Sequence, residues 1–406
     1  MEYLFTERAH LMCPNMCFGI VMRVSSAFDE KRIRSSVSAL ARVHSFLRAF
    51  IGHEEENNAY YYKITTSSQI SVSIKKDEIK GILSSEIMEE YEKFTANDID
   101  LSTEGMLFVT AWKSGEFTCF LMIFHHLLAD GRGALALANE LASHYAKGTA
   151  PRFVQEKLIS SQDELPKKSK LPFVSKAIIT RANNEWERDN STPLSYSDYH
   201  RFADSFLKTD SIAHTVTAMD SHETAKLADN CREHSVTVND FLMARMYIKE
   251  KTDKIVIASD LRDQLSCYAK GALGNYSTAV SIIVKKRTEN ELALAQEVHK
   301  RVQKAISDPA QLYLVLQCYA NLSPALLDAA FTASKGGFQS KPAAFIGSSL
   351  FGFGKPEGFC ITNLGKTDNK VIDSAYFIPP ASPAMRKTLG VVTVNGKMTL
   401  CTSERP

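Results

Sequence analysis

His125 and His126 stand side by side at the end of an apolar run in LMIFHHLLADGRGALALANEL (121–141), with Asp130 and Gly131 just beyond. Imidazole, with a free pKa of about 6.5, can take up and return a proton near neutral pH. Acyl transfer needs that service, because an alcohol, amine or thiol must lose its proton as it attacks a thioester carbonyl. A positioned base contributes about 10²- to 10⁴-fold. Adjacent strand residues point to opposite faces, so one ring can be reactive while the other is structural. The bland alternative is that both are satisfied polar groups at a strand end. Asp130 is separated from His126 by a strand-to-helix corner, a spacing that does not imply contact, and its carboxylate can pair instead with a distant arginine. Gly131 fits a turn that a side chain would obstruct.

The elements that must hold these residues are legible on both sides. Cys119 to Phe124 is apolar on both faces, as a central strand is, and Lys113, Ser114 and Gly115 turn into it from the strand before. RGALALANELASHYAKG, after Gly131, is rich in helix formers and closes at Lys147 and Gly148. Earlier, CFGIVMRV (17–24) reads as a strand, and Asp29 can cap a helix with Ile33, Val37, Leu40 and Val43 at helical spacing. A charged helix is predicted near 84–94.

Residues 149 to about 172 lose periodicity and collect Pro, Ser and Lys, which marks a linker. Beyond it come a strand, two helices, the second opened by Thr237 and Asn239, then the strand KIVIASD running into a polar corner. GNYSTAVSIIVKK, an amphipathic helix over ENELALAQEVHKRVQKAI and a last strand, GKMTLCTS, complete the second unit. The expected architecture is α/β with mixed sheets, an N-terminal unit over 1–172 and a C-terminal unit over 173–406.

At 406 residues the chain can support two domains, and its 48 basic and 46 acidic side chains nearly cancel. No nucleic-acid partner is indicated: the local basic excesses, Lys167, Lys168 and Lys170 and again Lys285, Lys286 and Arg287, are short and lack interleaved aromatics. The opening MEYLFTERAHLMCPNMC is interrupted by Glu2, Glu7 and Arg8 and does not read as a signal peptide, and no run reaches membrane-span length. Eight scattered cysteines suit a reducing cytoplasm, and Cys13 and Cys17 lack zinc or redox spacing. No third ligand accompanies the histidines, so a metal hydrolase, and any metal site, is not expected.

The stretch His125, His126, Leu127, Leu128, Ala129, Asp130, Gly131 resembles the His-His-x-x-x-Asp-Gly signature of the condensation-domain and chloramphenicol-acetyltransferase-like acyltransferase superfamily. ALARVHSFLRAF (39–50), with His44, Leu47 and Arg48, is similar to the family's early helix end, and TVNDFLMARMY to the helix opening its second half. SDLRDQLSCYAKGALGNYSTAV matches at Asp260, Leu261, Arg262, Gly274 and Asn275, and CITNLGKTD at the late Asn-Leu-Gly strand. Together these span most of the chain.

The resemblance implies two chloramphenicol-acetyltransferase-like domains with the site in a tunnel between them. It implies His126 as general base, His125 as a structural residue, and Asp130 in a salt bridge with a second-domain arginine, Arg262 first and Arg48 in reserve. Thr362 is the nearest match to the oxyanion donor of some branches, with Asn363 as the alternative. Gly274 and Asn275 shape the tunnel wall, and Ser277 and Thr278 line it. The implied donor is a thioester of coenzyme A or of phosphopantetheine on an acyl carrier protein, with nothing bound covalently. The acceptor is a small alcohol or amine, and the enzyme a monomer of secondary metabolism. The plant-type Asp-Phe-Gly-Trp-Gly loop is missing, and YSDYHRF (196–202) lacks the tryptophan end of the peptide-condensation element. A free-standing member like the alcohol acetyltransferases or the polyketide-associated acyltransferases is expected. A peptide-type condensation enzyme and a non-catalytic carrier-binding relative are the competing readings.

Overall fold

The computed structural model describes residues 2–189, 192–285 and 288–406, so Lys286 and Arg287 of the second basic run lie outside the described residues. A five-stranded sheet in the order Ile372–Ile378, Cys17–Val24, Phe117–His125, Leu107–Ser114, Ser71–Glu78 forms the first subdomain. Its last pair is parallel and the others antiparallel. Phe117–His125 has ladders on both sides and is buried over all but its first residue, which accounts for its unbroken apolar composition. A six-stranded sheet in the order Ser277–Ile283, Lys254–Asp260, Gly358–Thr367, Met385–Val394, Lys397–Glu404, Ala213–Met219 forms the second. A small three-stranded sheet of Glu2–Tyr3, Ala59–Ile64 and Ala49–Glu54 flanks the first.

Local chemistry sets the helix ends near the site. Asp29 accepts from the Arg32 amide at 3.0 Å and starts Glu30–Val43. Gly131–Lys147 begins at Asp130, whose Oδ1 accepts from the Gly133 amide at 2.9 Å, and stops at Gly148, held at φ 69°. Thr237 and Asp240 form a reciprocal cap on Val238–Glu250, so the partner of Thr237 is Asp240 rather than Asn239. Residues 149–172 carry only one short 3-10 turn, Gln162–Glu164.

The two sheets each own a hydrophobic core. The first core is not built from the first half of the chain alone. Leu326 and Phe331 of the helix Pro324–Ser334, and Tyr376, Phe377 and Ile378 of the strand Ile372–Ile378, pack into it. That strand leaves the second half, pairs antiparallel with Cys17–Val24 and closes the edge of the first sheet.

Candidate active site

The strand Phe117–His125 ends at His125, and the chain turns before Gly131 opens the next helix. This corner presents the two histidines differently. His125 is 7% exposed, and its Nδ1 accepts from the Leu127 amide at 3.2 Å, bracing the turn. Burial, reinforced by neighbouring His126, pushes its pKa down to about 3, so it stays neutral. His126 instead lines a cavity of about 360 Å³ that also takes His10, Phe18 and Gly131 from the first half and Val256, Asn275 and Thr362 from the second.

His126 has a fixed proton. The Asn275 side-chain nitrogen donates to the backbone carbonyl of His126 at 2.7 Å, which turns Oδ1 of the same amide toward the ring. That oxygen lies 2.8 Å from His126 Nδ1 and can only accept, so Nδ1 carries the hydrogen. The lone pair of the neutral ring is then on Nε2, which no described residue engages. Burial lowers the His126 pKa below its ordinary value, against the opposing pull of the Asp130 charge and the Asn275 hydrogen bond. A neutral ring, protonated at Nδ1 and open at Nε2, is the form that accepts a proton.

Two aromatic contacts hold the ring's plane. Phe18 meets it edge-on with centroids 5.3 Å apart, and His10 stacks on it at 4.7 Å with 22° between planes. Burial, then His126 and His125, keep the His10 pKa well below the ordinary value, so two cations do not face each other across the stack. Sequence reasoning missed His10 and its neighbour Glu7. Both sit on the short 3-10 helix Thr6–His10 and line the cavity, and their three-residue spacing was the available signal.

Asp130 works on architecture. Besides capping the helix, its Oδ1 accepts from Arg262 Nη2 at 2.7 Å and its Oδ2 from the Tyr276 amide at 3.0 Å. The pair is buried, and Arg262 also reaches Asp260 at 2.9 Å. Arg132, on the Asp130 helix, adds a second bridge to Asp260 at 2.6 Å, so four charges of alternating sign, two from each subdomain, run from Asp130 through Arg262 and Asp260 to Arg132. Arg48, the reserve partner, is elsewhere and donates to the Thr65 carbonyl at 3.3 Å. His44 is also remote from the cavity. It bridges Glu156 and Glu140 at 2.9 and 2.8 Å; burial opposes its charging, but the two carboxylates prevail and push its pKa up to about 9.

The remaining sequence candidates divide by face. Thr362, Ser277 and Thr278 line the cavity. Asn363 does not: it follows Thr362 on a strand, so it faces the other way, and its Oδ1 accepts from the Gly365 amide at 2.9 Å. Asn275 is more than wall, since it is the partner of His126. Gly274 has φ 142°, a backbone that side chains avoid. At Gly131 a Cβ would lie 2.4 Å from Leu364 Cδ2, so a side chain there would have to displace the end of that leucine. Near Thr362 the strands Gly358–Thr367 and Lys254–Asp260 are in register only at Cys360↔Val256 and Ile361↔Ile257. The cavity is lined beside this short ladder. Among the described residues no group of three or more His, Cys, Asp or Glu side chains could hold a metal ion, and no helix is long and apolar enough to cross a membrane.

A family model for the condensation domain matches residues 17–308, more than half of the chain and both sides of the cavity. The chain belongs to the condensation-domain family. The condensation-domain fold recurs in solved structures at low identity. The epimerization domain from the third module of tyrocidine synthetase B is 15% identical, with 99% of this chain and 87% of that one covered at a TM-score of 0.59. Polyketide synthase associated protein 5 from Mycobacterium tuberculosis is 14% identical, with 100% and 92% covered at 0.59. The condensation domain from Monacolin K polyketide synthase MokA is 11% identical, again with 100% and 92% covered at 0.59. No curated protein matches the chain.

Proposed function

We propose that this condensation-family protein is an acyltransferase that moves an acyl group from a thioester to a hydroxyl or amine acceptor, with His126 as general base. The donor is a thioester of coenzyme A or of the phosphopantetheine arm of an acyl carrier protein. The observation that carries the reading is the fixed Nδ1 proton of His126, which leaves Nε2 as the cavity's proton acceptor. As the acceptor's oxygen or nitrogen attacks the carbonyl carbon, its proton passes to Nε2. Collapse of the tetrahedral intermediate breaks the carbon–sulfur bond, and the leaving thiolate takes that proton back. Thr362 lines the same cavity and supplies a hydroxyl suited to the developing oxyanion. His125, Asp130 and Arg262 hold the corner without touching the reacting atoms. A carrier-bound amine as acceptor would make the same chemistry a peptide-type condensation.

The test is a panel of acyl-coenzyme A and acyl-carrier donors incubated with mixed alcohols and amines, with free thiol followed. Acceptor-dependent thiol release is expected, falling about 10²-fold or more in His126→Ala at unchanged melting temperature. Equal release by the variant would remove His126 from the role of base.

A further inference from the structure

Glu7 lines the cavity that holds His126, yet the acyl-transfer steps above do not use it. The residue is 1% exposed. Its Oε2 accepts from Thr6 Oγ1 at 3.1 Å, while Oε1 is buried without a hydrogen-bond partner. The adjacent cation is committed elsewhere: Arg8 forks onto Asp328 at 2.9 and 2.6 Å and donates to the Asn58 carbonyl. Among the described residues no Lys, Arg or His pairs with Glu7, and the charges that act on it, Glu164 and Glu2, are of its own sign. Burial raises its carboxyl to about 7, against weaker help from a backbone hydrogen bond and Thr6. A buried acceptor without a donor is destabilising, so the folded protein gains when a ligand supplies one.

Position says which ligand group that is. Residues three apart on a 3-10 helix lie on one side, so Glu7 sits about one turn from His10, whose ring stacks on His126. The surroundings are otherwise largely apolar, with Phe18, Leu316, Phe351 and Phe377 among the lining. A neutral hydroxyl would satisfy Oε1 but would do little to favour the ionised form of a carboxyl that burial has raised to about 7. An ammonium group does both, and hydrogen bonds between ionised partners are roughly twice as strong as neutral ones.

We propose that Glu7 is a specificity-determining residue that binds a protonated amino group of the acceptor, whose apolar body fills the cavity and whose separate nucleophilic atom reaches His126. The word acceptor rests on the acyltransferase reading; the amine site itself does not require turnover. Calorimetric titration of the full chain with 2-phenylethylamine and n-hexylamine, against 2-phenylethanol and n-hexanol, tests it. Each amine should bind about tenfold or more tightly than its matched alcohol. Glu7→Gln, similar in size but uncharged, should bring that ratio to within about threefold. Repeating the titration in His126→Ala separates the two proposals: the amine preference should persist there even if the base assignment fails in the thiol-release assay. Native protein that binds the alcohols as tightly as the amines, or binds neither amine, overturns the inference whether or not Glu7→Gln folds. An amine preference that survives in a folded Glu7→Gln overturns it as well.

Discussion

His126 has two nitrogens and, when neutral, one proton, and Asn275 decides where that proton sits. The pH dependence follows from its surroundings. Burial disfavours the imidazolium, so the base stays unprotonated to a lower pH than a free histidine would. The acid limb of kcat/KM should therefore fall below pH ~6.5, the ordinary histidine value. Asn275→Asp places a carboxylate against Nδ1, favours the imidazolium and should move that limb upward. A pH profile checks both: a native limb at or above the ordinary histidine value would count against burial as the dominant influence on His126, and a limb that Asn275→Asp leaves in place would count against Asn275 as the group that fixes its proton. The histidine pair was legible in the sequence because the motif is local. Its partner was legible only as a Gly-Asn strand match, because a contact across 149 residues leaves no periodicity to read. Glu7 and His10 were hidden for another reason: the 3-10 helix Thr6–His10 is too short to show an amphipathic pattern.

At the scale of the element, Asp130 joins a helix start to a strand corner of the other subdomain. It receives the Gly133 and Tyr276 amides and the Arg262 guanidinium, and both members of the ion pair are buried, at 3% and 10% exposure. Removing one member of such a pair strands a charge, typically at a cost of about 3–5 kcal/mol. Asp130→Ala also deletes a helix cap, a further ~1 kcal/mol. Both single variants should lower the urea midpoint, and the double variant should lose less than the sum because neither charge is left unpaired. Asp260 keeps part of the Arg262 charge satisfied, so the recovery should be partial. Strictly additive losses would mean that the pair contributes nothing as a pair. The helix itself was readable from its composition and its Gly148 stop. The stretch from Pro309 to Phe353 was not, since its helices are short, Pro-started and apolar on several sides. That stretch supplies Leu316, Tyr319, Phe351 and Phe353 to the cavity.

For the molecule as a whole, the loss of periodicity over 149–172 reads as the end of the first half, yet the helices Phe173–Arg188 and Tyr196–Leu207 still pack on the first core through Ile179, Trp186 and Tyr199, and nothing local shows that a later strand comes back to it. Sequence reasoning missed the strand Ile372–Ile378 altogether, and its antiparallel pairing with Cys17–Val24 is a contact that only the folded chain shows. The return makes the first subdomain dependent on the second. A fragment ending at residue 172 would lose Ile179, Trp186 and Tyr199 as well as Leu326, Phe331, Tyr376, Phe377 and Ile378 from its core, and Cys17–Val24 would become an open edge. Burial of a large apolar side chain contributes about 1.5–3 kcal/mol, so even five of these match the roughly 5–15 kcal/mol by which a whole domain is stable. Residues 1–172 expressed alone should therefore be insoluble, or soluble without cooperative unfolding, and co-expression with 173–406 should restore a soluble complex that melts in one transition. Circular dichroism melts of the fragment, its partner and the complex distinguish these outcomes. A soluble 1–172 monomer with a sharp cooperative melt would show that the crossing strand is an ornament of the first sheet rather than part of its core.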